Sequence, residues 1–394
     1  MNKNKLLSSV FILFIFLSSG ILLAQTDEEV QKLREEVANL KHGTSTFLLR
    51  GYAHSGLEID DNKNSFVGGS FNPIFLWKQS ANLIFESELE LELADGNTIV
   101  GLEYADMSYF LNDYITLRLG KILIPFGTFV ERLHPRWINR LPSNPLGFSH
   151  EEQVGPRSQV GIEIRGALQI FKGAGLNYSL YLVNGPNLNN GSVEIEEAGK
   201  LHYDNFSDNN RNKAVGGRIG ILPLDDASLE IGFSGQFGKV GDTGSEYKDI
   251  SASLYSTDLS LVQRINFLKS MLDIKAQWNR STVDDAFYVS ENEINGTYTF
   301  KNVSDAYYGQ LALKPAFVSN ELLNHLEFVA RFSELNLPKE AAWGGEKSQL
   351  TFGINYWIDW RTVIKFGYQT LEIRKEGESN NKVNSFLMHW SIGF

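Results

Sequence analysis

Four glutamates, Glu86, Glu88, Glu90 and Glu92, interleave with the apolar side chains Phe85, Leu89, Leu91 and Leu93. On a β-strand, successive side chains point to opposite faces, so one face of this segment is charged and the other greasy. The same period of two recurs in Ser158 to Ile170, where Val160, Ile162, Ile164, Leu168 and Ile170 oppose Gly161, Glu163, Arg165 and Gln169. It returns in Leu229–Phe237, Leu350–Ile358 and Phe386–Phe394. From Thr44 onward the chain gives sixteen predicted strands, starting near residues 45, 66, 80, 98, 113, 157, 173, 212, 226, 248, 267, 304, 321, 346, 361 and 381.

The connections sort themselves by parity. Even-numbered ones are tight, around Gln79, Asn112-Asp113, Lys172-Gly173, Pro223-Leu224, Asn266, Ser319-Asn320 and Trp360. The long ones, 124–156, 184–212, 240–247, 282–303 and 338–346, are all odd. Short turns on one side and long loops on the other mark a bacterial membrane barrel with both ends in the periplasm. The expected fold is therefore all-β, a transmembrane antiparallel β-barrel of about 16 strands over residues 44–394. A β-sandwich would have to bury the charged stripe between its sheets, whereas in a large barrel those carboxylates face water.

Residues 1–24 read as a signal peptide, with Lys3 and Lys5 before an apolar core from Leu6 to Phe16 and Ala24 at the cleavage position. Leu22 departs from the usual small residue there, and a membrane anchor is the alternative. Residues 25–43 predict a short periplasmic helix: Val30, Leu33, Val37 and Leu40 follow coiled-coil spacing. A self-associating staple and a loosely ordered amphipathic leader both fit it. At the other end, Phe386, Met388, Trp390, Ile392 and Phe394 share one face. A terminal Phe on such a strand resembles the signal read by outer-membrane insertion machinery. The expected location is thus the outer membrane of a Gram-negative-type bacterium, with its lipid as a partner. Trp77, Tyr109, Tyr114, Trp357 and Trp360 are expected in interfacial girdles.

Residues 124–156 are unlike the other connections. They contain Pro125, Pro135, Pro142, Pro145 and Pro156, half of the chain's ten prolines, with Phe126, Phe129, Trp137 and Phe148. So many apolar anchors and fixed φ angles call for burial. Arg132, Arg136 and Arg140 recur every four residues, which would align them on a short helix were Pro135 not between them.

Leu117-Arg118-Leu119-Gly120-Lys121 followed by Ile124-Pro125-Phe126-Gly127 resembles the strand-to-loop signature of the phosphate-selective porin O/P family. The motif is about ten residues long, while the likeness in layout spans nearly the whole mature chain. The resemblance implies a sixteen-stranded homotrimer with a short amino-terminal segment and basic residues selecting anions, and by analogy with sixteen-stranded porins the third outward loop, 124–156, is expected to fold into the lumen. Arg118, Arg165 and Arg218 fall on predicted inner faces, and Arg132, Arg136 and Arg140 are placed at the constriction. Opposing them are Glu86, Glu88, Glu90, Glu92 and Glu163. Alternate carboxylates lie ~6.8 Å apart on a strand, inside the ~8 Å Debye length, so they act as one negative stripe. Opposed acidic and basic walls would set up a transverse field. The plainer alternatives are a solvated wall, and loop arginines paired with Glu131, Glu151 and Glu152.

A net charge of −11 argues against nucleic acid, and the absence of cysteine excludes disulfides and thiolate metal sites. No serine lies in a G-x-S-x-G motif. His389 and Ser391 face the same way without an oxyanion hole beside them, so no enzyme is expected. Neither is a cofactor or a metal: His202, Asp204 and Asp208 lack ligand spacing, and the acidic tips Asp60-Asp61-Asn62 and Asp242 with Glu246 read as solvated. The sequence reads as an outer-membrane porin for passive diffusion of small hydrophilic solutes, anions such as phosphate among them, with loop 124–156 as its constriction. The alternative is a structural or adhesive barrel with an occluded lumen.

Overall fold

The computed structural model describes residues 46–394 except 95, 151, 172, 290–295, 376 and 378. The signal peptide, the helix at 25–43 and its coiled-coil reading lie outside the described residues. Sixteen strands close into one antiparallel barrel. They are β1 (Thr46–Ile59), β2 (Asn64–Lys78), β3 (Leu83–Ala94), β4 (Asn97–Phe110), β5 (Thr116–Leu123), β6 (Ser158–Phe171), β7 (Ala174–Val183) and β8 (Ala214–Leu222). There follow β9 (Leu229–Lys239), β10 (Ser251–Ile265), β11 (Ser270–Val283), β12 (Val303–Lys314), β13 (Leu326–Leu337), β14 (Gly345–Trp357), β15 (Thr362–Arg374) and β16 (Asn381–Gly393). Each strand pairs with its sequence neighbour, and β1 closes on β16 in a register running from Tyr52↔Gly393 to Ile59↔Phe386. Beyond it, Phe394 exchanges backbone hydrogen bonds with Gly51 at 2.9 and 3.1 Å and stacks on Phe71.

Alternation fixes which side each residue takes. Phe47, Phe71, Leu119, Ile162, Leu180, Phe233, Phe352 and Trp390 are exposed around the outside. In water so broad an apolar belt would aggregate, whereas against lipid it is the stable face of a closed barrel. The fold and this belt place the barrel in the outer membrane.

Two expectations need correction. The strand predicted near residue 321 begins at Leu326, because Glu321–His325 form a helical turn capped by the Asn320 side chain, which accepts from the Leu323 N–H. Trp357 is not a girdle residue: it sits on the inward phase of β14, is buried, and donates from Nε1 to Glu327 at 3.2 Å. Trp77, Tyr109, Tyr114 and Trp360 are exposed on the outside, as a girdle requires.

The long outward loops pack on one another. Leu188, Leu201 and Tyr203 meet Val240, Tyr247, Tyr288 and Phe300 in a single apolar cluster that continues down to Ile122, Ile124 and Phe126. Tyr247 stacks on Tyr288, Tyr288 lies tilted against Phe300, and Trp343 meets Phe300 edge-on. These segments form one cap over part of the mouth.

Candidate functional site: the lumen and the third outward loop

Residues 124–157 leave β5 and cross the lumen before entering β6. A single helical turn, Phe129–Leu133, buries Phe129 and Val130. Phe129 and Phe148 pack edge-on against Tyr308 of β12, with Val154, Ala306 and Leu335 completing the cluster. Gln277 of β11 fixes the entry. Its Oε1 accepts from the N–H groups of Thr128 and Phe129, both at 2.9 Å, and its Nε2 donates to the Phe126 carbonyl at 3.3 Å. Gly127 adopts φ +70°, and a Cβ there would come 1.9 Å from the Gln277 amide. On the far side, wall glycines admit the loop closely: Gly353 faces Leu141, Gly367 faces Pro142 and Gly393 faces Trp137.

The loop's carbonyls need donors, since buried backbone groups are rarely left unpaired. The wall supplies them. Lys365 donates to the carbonyls of Arg136 and Asn139, Asn355 to that of Arg140 at 2.8 Å, and Arg331 to that of Ser143 at 2.7 Å.

Opposite these contacts runs a continuous ladder of alternating charge. Arg118 lies between Asp106 (2.6 Å) and Glu163 (2.9 Å). Arg165 lies between Glu163 (3.6 Å) and Glu131 (2.6 Å). Arg132 bridges Glu131 (3.8 Å) and Glu230 (2.7 Å), and Arg218 bridges Glu230 (3.0 Å) and Asp258 (2.6 Å). Four arginines alternate with five carboxylates, so the ladder carries one net negative charge. Burial opposes ionisation of Glu131, but the guanidinium groups of Arg165, Arg132 and Arg118 outweigh it and hold its pKa at about 2.

The remaining predicted residues take separate positions. Arg140 is held by Glu327 and by Asp273 at 2.7 Å. Among the described residues, Arg136 donates to neutral acceptors, the Pro142 carbonyl at 3.1 Å and Asn144 at 3.2 Å. The loop arginines therefore do not share a helical face. Nor is the glutamate stripe of β3 a bare one. Glu86 accepts from the Tyr104 hydroxyl at 2.7 Å, Glu88 from Tyr52 at 2.6 Å, Glu90 faces His150, and Glu92 is exposed at the rim. At the level of the loop the wall is shielded from solvent: Glu88, Glu163, Arg331 and Lys365 are each 1% exposed.

The sequence reading missed Gln277, Arg331, Asn355 and Lys365, and the carboxylates Glu103, Asp106, Glu230, Asp258, Asp273 and Glu327. All face inward, and for every one but Glu103 the alternation contained the signal; Glu103 is turned inward by a bulge in β4, where its neighbour Tyr104 is buried as well. What it lacked was the partner across the lumen.

No family model and no curated protein matches the chain. Solved structures do. The outer-membrane channel DcaP of Acinetobacter baumannii superposes with a TM-score of 0.58 at 10% identity, over 89% of this chain and 97% of that one. The chain folds as a porin-type barrel. OprB of Pseudomonas putida gives a TM-score of 0.54 at 8% identity, covering 93% and 97% of the two chains. The anion-selective porin from Comamonas acidovorans gives 0.52 at 12%, covering 89% and 100%. At such identities the likeness is one of fold. In this porin-type barrel, the inserted loop and its ties to the wall cross the lumen.

Proposed function

We propose that the protein is a passive diffusion pore, working without cofactor or catalysis, for small hydrophilic solutes of the outer membrane. The observation that carries this reading is the third outward loop. It is inserted across a charged lumen and tied to strands on every side, the placement that lets size and field at one level decide passage. The porin-type fold supports it.

Phosphate selection receives less support than general diffusion. Arg118 and Arg218 each lie between two carboxylates, and Arg140 also has two. An anion would have to displace those partners. Carboxylates exceed arginines along the ladder, and Glu92 stands at the mouth, so we propose a weak preference for cations. We further propose a homotrimer, as the motif resemblance implies, and entry to the membrane through the strand ending in Phe394.

The shielding of the wall at the loop favours a second reading, a structural barrel with a closed lumen. Planar bilayers separate the two. Ohmic steps support the pore, and their absence from folded protein overturns it. The reversal potential in a potassium chloride gradient then reads selectivity: strong anion preference would reverse the proposed sign and restore phosphate-type selection.

A further inference from the structure

Where the third loop turns back to β6, His150 faces the outward ends of β3 and β4. Its Nε2 lies 3.5 Å from Glu90 Oε2 and 3.5 Å from Glu103 Oε2, and its Nδ1 lies 3.8 Å from Asp204 Oδ2. Charge-assisted hydrogen bonds close to ~2.7–2.9 Å, and the same carboxylate shows one: Arg157 Nε donates to Glu103 Oε1 at 2.6 Å. Two ligands of one tetrahedral ion, each bonded at ~2.0–2.1 Å, stand ~3.3 Å apart. The His150 separations are close to that value, and one ligand atom from each of the three side chains lies within 4.8 Å of the others.

We infer that Glu90, Glu103 and His150 form a divalent transition-metal site of zinc type at the outward mouth of the lumen. Each residue is suited to its part. Glu103 is buried and held by Arg157 through Oε1, which leaves Oε2 aimed at His150. The His150 side chain is 45% exposed and that of Glu90 28%, so an ion and a completing water reach them without unfolding. Asp204 faces the other ring nitrogen, where a carboxylate fixes the tautomer of a ligating imidazole. One imidazole with two carboxylates suits zinc. Calcium and magnesium want six or more oxygens, and thiolate chemistry is absent from a chain without cysteine.

The bound ion would join the end of the third loop to β3 and β4. A second histidine–carboxylate group, Glu194, Glu197 and His202, is a weaker candidate and a useful control, because Lys200 Nζ already occupies Glu197 at 2.6 Å.

The test uses the whole protein in detergent micelles, stripped of metal and titrated calorimetrically with zinc ion alone. Heat-dependent electrophoretic mobility verifies that each variant is folded. One ion per chain is expected. His150→Ala and the milder His150→Gln should each weaken binding at least tenfold, as should Glu90→Gln. Asp204→Asn should weaken it roughly 10- to 100-fold through the ring it orients. His202→Ala should leave it unchanged. Failure of the unaltered protein to bind zinc overturns the site, as does binding that survives both His150 variants or is lost only in His202→Ala.

Discussion

Gln277 shows how much of the third loop rests on one uncharged side chain. Exchanging it for Leu keeps the bulk but strands the N–H groups of Thr128 and Phe129, at a cost of about 1–3 kcal/mol for each buried donor. Gln277→Leu should loosen the loop and give larger, noisier conductance steps in bilayers; steps identical to those of the unaltered protein would contradict the anchoring role. Arg140 works by charge. Arg140→Ala leaves Glu327 without its cation and Asp273 with Lys275 alone, at 3.5 Å, a loss of about 3–5 kcal/mol for a buried pair broken on one side. The reversal potential should then move toward cation preference. Glu131 sets the acid limit. Its folded pKa lies below the usual carboxylate range, so its contribution is complete above the unfolded value and is lost as pH falls through about 2. Trypsin should therefore cut the loop no faster at pH 5, by brief exposure and assay at neutral pH, than at pH 8. Brief exposure near pH 2 should release it. Release already at pH 5 would show that the Arg165 tie is not what holds Glu131.

At the scale of elements, the period of two placed every strand but one to within three residues, because burial on one side and lipid on the other leave no freedom to slip by one. It failed where a local signal competed. Asn320 before Glu321 is a helix cap, and it delays β13 to Leu326. Trp357 has the composition of a girdle residue, yet its place on the inward phase of β14 decides its side. Partnerships were less legible than positions. Arg132, Arg136 and Arg140 stand out by their spacing, but their acceptors come from β9, from the loop itself, and from β11 and β13. No local pattern records contacts such as those of Arg132 and Arg140, whose partners lie 98 to 187 positions away. The outward cap is another such element. Tyr288→Ala removes the ring shared by Tyr247, Tyr298 and Phe300. Loops 184–213 and 284–302 should become sensitive to added protease, while the barrel keeps its heat-dependent mobility. Loops that stay resistant would show that the cap has other supports.

At the scale of the whole molecule, the seam between β1 and β16 converts a sheet into a vessel. Phe394 holds Gly51 by two backbone bonds and covers Phe71. Phe394→Ala keeps those bonds and removes the ring, so it should slow membrane insertion without altering the strand count. An insertion rate equal to that of the unaltered chain would count against a role for the ring. The proposed trimer is checked by chemical crosslinking in native membranes, where three-chain species are expected and single chains alone would refute it.

The loop's ties also carry information about time. Thr128 finds Gln277 across 149 positions of sequence, Arg140 is met by Asn355 across 215, and Arg136 by Lys365 across 229. Contacts so remote incur the largest chain-closure entropy and form late. The third loop cannot settle until the strands that hold it have been laid down and joined. A chain stalled halfway would present a lumen with nothing to grip its central segment, and would leave that segment open to proteases. The insertion of the loop thus serves as a signature of completed assembly, written into the molecule by the distance between its partners.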